Sequence, residues 1–593
     1  MSYEPPVQDM LFTLRTVAGL DALVSEGLAP EIEGGVAEAI LEEAAKFAAQ
    51  RVAPLNAVGD KVGSVLREGH VTTPPGWRET YRDWAEAGWN GLTADPAFGG
   101  QGLPMLLHSA CGEMWNAACL AFALGPLLTS GAIDALAKHG SDHLKQAVLP
   151  RLVSGEWMGT MNLTEPQAGS DLAALRTRAE RNGDGTYRIT GQKIYITYGE
   201  HDLTENIIHL VLARLPDAPA GTRGISLFVV PKILIDADGT LGAANDVRCA
   251  GVEHKLGIHA SPTCTMVYGD QGGATGWLVG EENRGLACMF TMMNSARLGV
   301  GIQGVAVAER AFQHALAYAK ERRQGRASGF SGDGMSPIVE HPDIRRMLMI
   351  MLSQTRAARA ICYQTAEALD RAQREPDAER RKLAAERAAL MTPVAKAYST
   401  DIGIEVSSLG VQIHGGMGYV EETGAAQYFR DSRIAAIYEG TNGIQAIDLV
   451  TRKLPLSGGE TVKAAIARMR ETVARVAASN APALGHAAAR LAEAVASLER
   501  ATAYLQAAMG SRPDDALAGA TPYLKLFGLT QGGVCLAEEA LAALSAAEDN
   551  PAGATRIAVA RFFAEQLATE APALEHTVID GAGAVEAAAA VFA

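Results

Sequence analysis

Twice along this chain the hydrophobic period changes, and these two changes restrict the possible fold more than any other feature of the sequence. In the first 155 residues apolar side chains recur at helical spacing. Val36, Ile40, Ala44 and Phe47, flanked by Leu41, Ala48 and Val52, predict one amphipathic helix over 36–52. The Pro- and Gly-rich run from Asp95 to Gly102 predicts a loop within an otherwise all-helical region. From Thr160 to about Val279 short β-rich runs take over, at 187–190, 193–197, 207–212, 225–230 and 264–267, separated by Gly, Pro and Asp. They predict a small antiparallel sheet or barrel. The helical period returns after Gly285, and the stretches 304–322 and 344–369 predict a bundle. Pro455 and Gly458-Gly459 mark a last boundary, beyond which Val462, Ile466, Met469 and Val473 stand at helical spacing in alanine-rich sequence. The expected chain is therefore α+β: an N-terminal helical domain at 1–158, a central β domain at 159–280, a helical bundle at 281–454 and an additional helical domain at 455–593. No fixed-period repeat is evident.

A chain of 593 residues exceeds one compact core and has room to enclose a bulky cofactor. Its formal charge of −15 and the absence of a long Lys/Arg run argue against nucleic acid as a partner, while a small anionic ligand needs only a few local cations. The last domain holds more acidic than basic residues and does not resemble a nucleic-acid arm. Seven scattered cysteines without a C-x-x-C pair indicate neither a disulfide framework nor a zinc site, so no metal is expected. No basic segment followed by an apolar one opens the chain, and Gly125-Pro126 is expected to break the apolar stretch 118–128. A cytoplasmic location and no integral membrane segment follow as expectations.

Three local sequences carry chemistry. Leu163-Thr164-Glu165-Pro166-Gln167-Ala168-Gly169-Ser170-Asp171 enters the β region, and its Gly-Ser pair lets backbone N–H groups and a hydroxyl approach ligand oxygens closely. Taken alone, Gly-Ser-Asp is an ordinary turn. Lys193-Ile194-Tyr195-Ile196-Thr197 is a strand placing Tyr195 and Thr197 on one face, an aromatic ring beside a hydroxyl. Ile437-Tyr438-Glu439-Gly440-Thr441-Asn442-Gly443 sets a carboxylate in locally apolar company, where partial burial would strengthen it as a base toward a carbon acid. It follows Gln412-Ile413-His414-Gly415-Gly416-Met417-Gly418-Tyr419.

In this order and in these settings, the three sequences resemble the acyl-CoA dehydrogenase family over roughly residues 30–455. The resemblance implies an N-terminal helical domain, a central β domain and a helical bundle, with FAD held between the latter two and completed by a neighbouring subunit in a homodimer or homotetramer. It assigns Met161, Leu163, Thr164, Gly169, Ser170, Tyr195 and Thr197 to the flavin. Arg322 is assigned to the FAD phosphates of a partner subunit, with Gln412, Gly416 and Thr441 serving the same nucleotide, and Ser170, Asn294, Arg297 and Gly440 to the acyl-CoA substrate. Tyr195 stands where many relatives carry tryptophan, and Asn294 where an acidic residue is common. The aromatic residue usual before Gly325 is absent, and an unusual loop, 326–337, follows.

The resemblance further implies that Glu439 removes the α-proton of an acyl thioester while a hydride passes from the β carbon to the flavin. The enolate oxygen then meets the Glu439 backbone N–H and a flavin ribityl hydroxyl, and electron-transfer flavoprotein receives the electrons. Some relatives carry the base near Arg297, but Ser295 and Ala296 cannot act as one. The chain length, the start Met-Ser-Tyr-Glu-Pro-Pro-Val and the run from Tyr195 to Asp202 are similar to a long bacterial branch of the family. Substrates of that branch include 3-methylmercaptopropionyl-CoA of dimethylsulfoniopropionate catabolism and medium- and long-chain acyl-CoA of fatty-acid β-oxidation. Two other readings stand beside these: a flavin-containing nucleic-acid-binding stress protein, for which the chain lacks a basic C-terminal surface, and an oxidase whose reduced flavin meets oxygen directly.

Overall fold

The computed structural model describes residues 3–236, 239–545 and 551–592, so Met1 and Ser2 of the N-terminal run compared above lie outside the described residues. Two compact units emerge: Met1–Ala45 with Met105–Ala117 and Arg297–Ala593, and Lys46–Pro104 with Ala118–Ala296.

The second unit contains the β region. The strands of its eight-stranded sheet are β1 (Met158–Asn162), β2 (Arg178–Arg181), β3 (Tyr187–Thr197), β4 (Ile207–Arg214), β5 (Ile225–Pro231), β6 (Val247–Val252), β7 (Thr263–Tyr268) and β8 (Ala274–Val279); Ile233–Ile235 and Leu241–Ala244 pair separately. They pair in the order β6-β7-β3-β8-β5-β4-β1, and β2 bridges β3 and β4. The ring β3-β8-β5-β4-β2 therefore closes, and the barrel alternative is the one realised. Most pairs are antiparallel, but β1 and β2 run parallel to β4. The two short runs expected at 187–190 and 193–197 form one strand, β3, whose first half pairs with β8 and β2 and whose second half pairs with β7. At the changeover, a Cβ on Gly191 would fall 2.5 Å from the Thr177 hydroxyl, so only glycine fits.

Strand β4 is buried on both faces because it lies between two cores. Ile208, Leu210 and Leu212 pack with the helices Leu120–His139 and Asp142–Ser154, while Val211 and Ala213 fill the barrel with Ile189, Phe228 and Val230. The first region departs from the all-helical expectation. Val65–Arg67 and His70–Thr72 form a small hairpin, turned by Glu68 and Gly69 at φ 50° and 84°, a left-handed pair suited to two-residue hairpins. Gly125-Pro126 does not break its segment either. Leu120–His139 is one helix with Pro126 inside, because burial on nearly all sides outweighs one lost hydrogen bond. It is the one helix among the described residues long and apolar enough to cross a membrane, and 78% of that apolar window is buried in protein.

The first unit is helical. Gly285–Glu321, which begins in the second unit, and Pro342–Arg374 run longer than the stretches 304–322 and 344–369 expected from sequence, Ala378–His414 follows them, and the bundle continues through Glu460–Ala478, Ala487–Ser511 and Ala520–Ser545. In the expected 36–52 helix the helical turns run to Phe47 and widen to a π turn at Ala48–Val52. Its buried stripe is Ala37, Leu41, Ala44, Ala48 and Val52, and Val36 is exposed, so the apolar face is rotated from the one the spacing suggested.

Candidate active site

The Glu439 loop belongs wholly to the helical unit. Glu439 and Gly440 both adopt left-handed backbone, φ 56° and 81°; glycine takes this readily, but for glutamate it is uncommon and must be imposed by surroundings. Several groups impose it. The Tyr438 hydroxyl donates to the side-chain oxygen of Gln303. Gln445 Nε2 donates to the carbonyls of Glu439 at 3.2 Å and Gly440 at 3.3 Å. The Thr441 hydroxyl caps the helix Asn442–Asp448 by accepting from the Ile444 N–H at 3.2 Å.

Ile437 is 47% exposed, so it does not supply the apolar company expected for Glu439. The enclosure comes instead from helices distant in sequence. Glu439 is half-buried by surface, yet protein surrounds it closely enough that burial pushes its pKa up to about 7, against the pull of Arg297 and Lys396. Arg297, 5% exposed, contacts Asp448 at 3.5 Å, and its Nη2 lies 3.9 Å from where a Gly440 Cβ would stand. The helical unit thus brings Glu439, Gly440, Thr441 and Arg297 together.

It does not bring Arg322, Gln412 and Gly416 to that cluster. Gln412 lies sixteen residues beyond Lys396 on the helix Ala378–His414, about 24 Å along its axis. Arg322 is exposed and follows Tyr318, which stacks on His414 with ring centroids 4.4 Å apart. These residues and the open Gly415-Gly416 backbone therefore share one end of the bundle. The unusual 326–337 loop is braced internally: Gln324 and Gly325 exchange backbone bonds with Ser336, and Arg326 donates to the carbonyls of Gly334 and Phe330.

In the β unit the loop after β1 is tied to β3. The Ile194 N–H donates to the Thr164 carbonyl at 3.0 Å, and Lys193 Nζ to the Leu163 carbonyl at 3.0 Å and the Glu165 carboxylate at 2.8 Å. A bulge makes this possible. Between Lys193 and Ile196 β3 has two residues where β7 has one, which interrupts simple alternation and leaves Lys193 and Ile196 both buried. Glu165 also accepts from the Arg176 and Thr177 N–H groups and the Thr177 hydroxyl. Burial alone would raise its pKa, but Lys193 and these donors hold it at about 2.

The Lys193–Glu165 pair escaped sequence reading, although a lysine inside an apolar strand was a signal. Its side chains are 0% and 3% exposed, so Lys193→Met strands a buried carboxylate. The expected loss is about 3–5 kcal/mol in denaturant-induced unfolding, with partial recovery in the Glu165→Gln/Lys193→Met double variant.

The loop displays the groups assigned to a flavin. Met161 is buried in β1 and Leu163 is half-buried, whereas Gly169 and Ser170 are exposed, with open space where a Gly169 Cβ would stand. The hydroxyls of Thr164, Ser170 and Thr197 have no hydrogen-bond partner among the described residues, and Tyr195, at φ 59° in the bulge, is 60% exposed. Free hydroxyls, bare backbone and an exposed aromatic ring fit a flat heteroaromatic group bearing a pyrophosphate. Asn294 is exposed on the helix Gly285–Glu321.

A half-buried carboxylate whose pKa is raised, in the helical unit, suits the class of enzymes that abstract a proton from a carbon acid. Comparisons with known proteins give the same class. Residues 36–156, 160–270 and 283–454 match the acyl-CoA dehydrogenase N-terminal, middle and C-terminal domains, and 465–589 match a domain described as acetyl-CoA dehydrogenase C-terminal like. The chain is 46% identical over 586 residues to 3-methylmercaptopropionyl-CoA dehydrogenase of Ruegeria pomeroyi, covering 98% of this chain and 99% of that one. It is 36% identical to a butyryl-CoA dehydrogenase of Syntrophomonas wolfei over 74% of this chain and 73% of that one. Acyl-CoA dehydrogenase of Bacillus anthracis, solved with FAD, shares the fold with a TM-score of 0.74 at 22% identity, over 93% of this chain and 89% of that one. The chain belongs to the acyl-CoA dehydrogenase family, as an FAD-dependent oxidoreductase acting on acyl-CoA.

Proposed function

We propose that the enzyme desaturates 3-methylmercaptopropionyl-CoA between its α and β carbons, with Glu439 as the base. The observation that carries the base assignment is the left-handed Glu439–Gly440 turn, enclosed by helices and flanked by Arg297. A thioester α-proton is a very weak acid, so its removal needs a carboxylate held in place and a donor for the enolate oxygen as charge develops. Glu439 supplies the carboxylate and its own backbone N–H the donor. FAD supplies the acceptor for the β-hydride. Met161, Leu163, Thr164, Gly169, Ser170, Tyr195 and Thr197 hold the flavin in this reading, and Ser170, Asn294, Arg297 and Gly440 line the substrate. Arg322, Gln412, Gly416 and Thr441 serve the nucleotide, the first three toward a second copy in a homodimer or homotetramer. Their distance along the bundle from Glu439 supports that assignment.

Electron-transfer flavoprotein as acceptor and a cytoplasmic location complete the proposal. Identity of 46% across nearly the whole chain supports the sulfur-bearing substrate, and the butyryl-CoA relative favours a straight-chain alternative. Anaerobic bleaching of the flavin by 3-methylmercaptopropionyl-, butanoyl-, octanoyl- and palmitoyl-CoA separates them. Fastest bleaching by the sulfur compound is expected; fastest bleaching by a straight-chain ester would move the enzyme to fatty-acid oxidation.

A further inference from the structure

Beside Glu439 lies a lysine for which neither the motifs nor the acid–base step has a use. Lys396 projects from the helix Ala378–His414 and is fully buried within Pro393-Val394-Ala395-Lys396-Ala397-Tyr398. Burying an amine is costly unless its N–H groups are matched. Two of them are: Nζ donates to the Gly440 carbonyl at 2.9 Å and to Asn442 Oδ1 at 2.8 Å. Asn442 is held in turn by the same helix, donating to the Ala397 carbonyl at 3.2 Å, the Thr400 hydroxyl at 3.0 Å and the Asp401 carboxylate at 2.7 Å. Lys396 therefore grips the residue after the base and, directly, Asn442 two positions further on.

We infer that Lys396 is a positioning residue of this dehydrogenase: its amine fixes the left-handed Glu439–Gly440 turn and sets a second positive centre, with Arg297, beside the base. The inference rests on Glu439 being the base. The charged and titratable groups around this centre are Arg297 on the helix Gly285–Glu321, Lys396 and Asp401 on Ala378–His414, Asp448, Arg452 and Lys453 after the loop, and Tyr438 next in sequence; Arg433 and Lys525, the latter on Ala520–Ser545, act on Asp401, and Asp431 acts on Tyr438. Burial pushes Lys396 down to about 7 while Glu439 and Asp401 pull it up, and Lys396 in turn favours the ionised form of Glu439. Removing the amine removes both the grip and that charge.

The test compares Lys396→Met, which loses both, with Lys396→Gln, which keeps an N–H donor and loses the charge. Each holoenzyme is measured for FAD content and for the pH dependence of flavin reduction by acyl-CoA, with Glu439→Gln alongside. Both variants are expected to keep FAD and to shift the acid limb of the reduction rate upward by about one pH unit. The limiting rate should fall about tenfold or more in Lys396→Met and less in Lys396→Gln. If Lys396→Met does not fold, the acid limb of Lys396→Gln decides. An acid limb unchanged from wild type, with or without a loss of rate, overturns the inference, because a merely structural lysine would leave that limb in place. Bleaching by Glu439→Gln at the wild-type rate would show that the base itself is misassigned, and the role of Lys396 would fall with it. An inert Glu439→Gln beside a wild-type-like Lys396→Gln would remove the lysine's role alone.

Discussion

Glu439→Gln is expected to leave FAD bound and to slow flavin reduction by acyl-CoA about 10²–10⁴-fold, the range ascribed to a positioned general base. The amide is close in size to the carboxylate, so the left-handed turn held by Gln445, the Tyr438–Gln303 contact and Lys396 should survive. The lost function is then acceptance of a proton. The same assignment fixes a pH dependence. Burial raises the Glu439 pKa to about 7, so below that pH the carboxyl is protonated and cannot act. The second-order rate constant for reduction, which reports the free enzyme, should rise about tenfold per pH unit below 7 and level off above it. Rapid-mixing absorbance from pH 5.5 to 9 checks the profile, and a rate flat across that range would contradict a base with a raised pKa.

Arg359→Met is expected to cost about 3–5 kcal/mol of stability. Arg359 is fully buried in the helical unit and bonds Glu113 at 2.6 and 2.9 Å, Glu309 at 2.8 Å and Asp9 at 3.3 Å. The Tyr363 hydroxyl completes Glu113 at 2.7 Å. Asp9 also receives Arg356 and Arg556, and Arg556 bonds Glu539, which places the helix Val7–Thr16 in one ionic cluster with Pro342–Arg374 and the last helices. Taking out the central cation leaves carboxylates that water cannot reach, and their desolvation is no longer offset. A lower urea midpoint should result, accompanied by release of the helices after residue 455 to proteolysis. Because the cluster is buried, moderate salt should not reproduce the effect. Adding Glu113→Gln to Arg359→Met should recover part of the loss, and strict additivity of the two substitutions would show that they do not share one network.

Much of this was legible in the sequence, and the gaps have physical causes. Helical and β-like periods are local, so the helical regions, the β region and the strands from Ile207 and Ile225 could be read directly. The motif residues stood out because Gly-Ser, Tyr-x-Thr and Tyr-Glu-Gly-Thr each place particular chemistry within a few positions. The face of the helix at Val36–Phe47 was read less well, since a sequence with apolar groups around much of its circumference leaves the packing partner to choose the stripe. The hairpin at Glu68-Gly69 escaped because strands of three residues are too short to show alternation. Pro126 defies the local rule that Gly-Pro ends a helix, because that rule cannot weigh the burial that offsets a missing hydrogen bond.

The sequence alone thus determined the order of helical and β regions and the residue types available for chemistry, because both are written in spacing along the chain. Tertiary structure decided the rest. It closed the barrel through β2, turned Lys193 inward at a bulge against Glu165, and enclosed Glu439 with side chains from helices 43 and 142 residues earlier, at Lys396 and Arg297. Desolvation and charge act through space, so the pKa of a carboxylate depends on what folds around it rather than on the residues beside it in the chain.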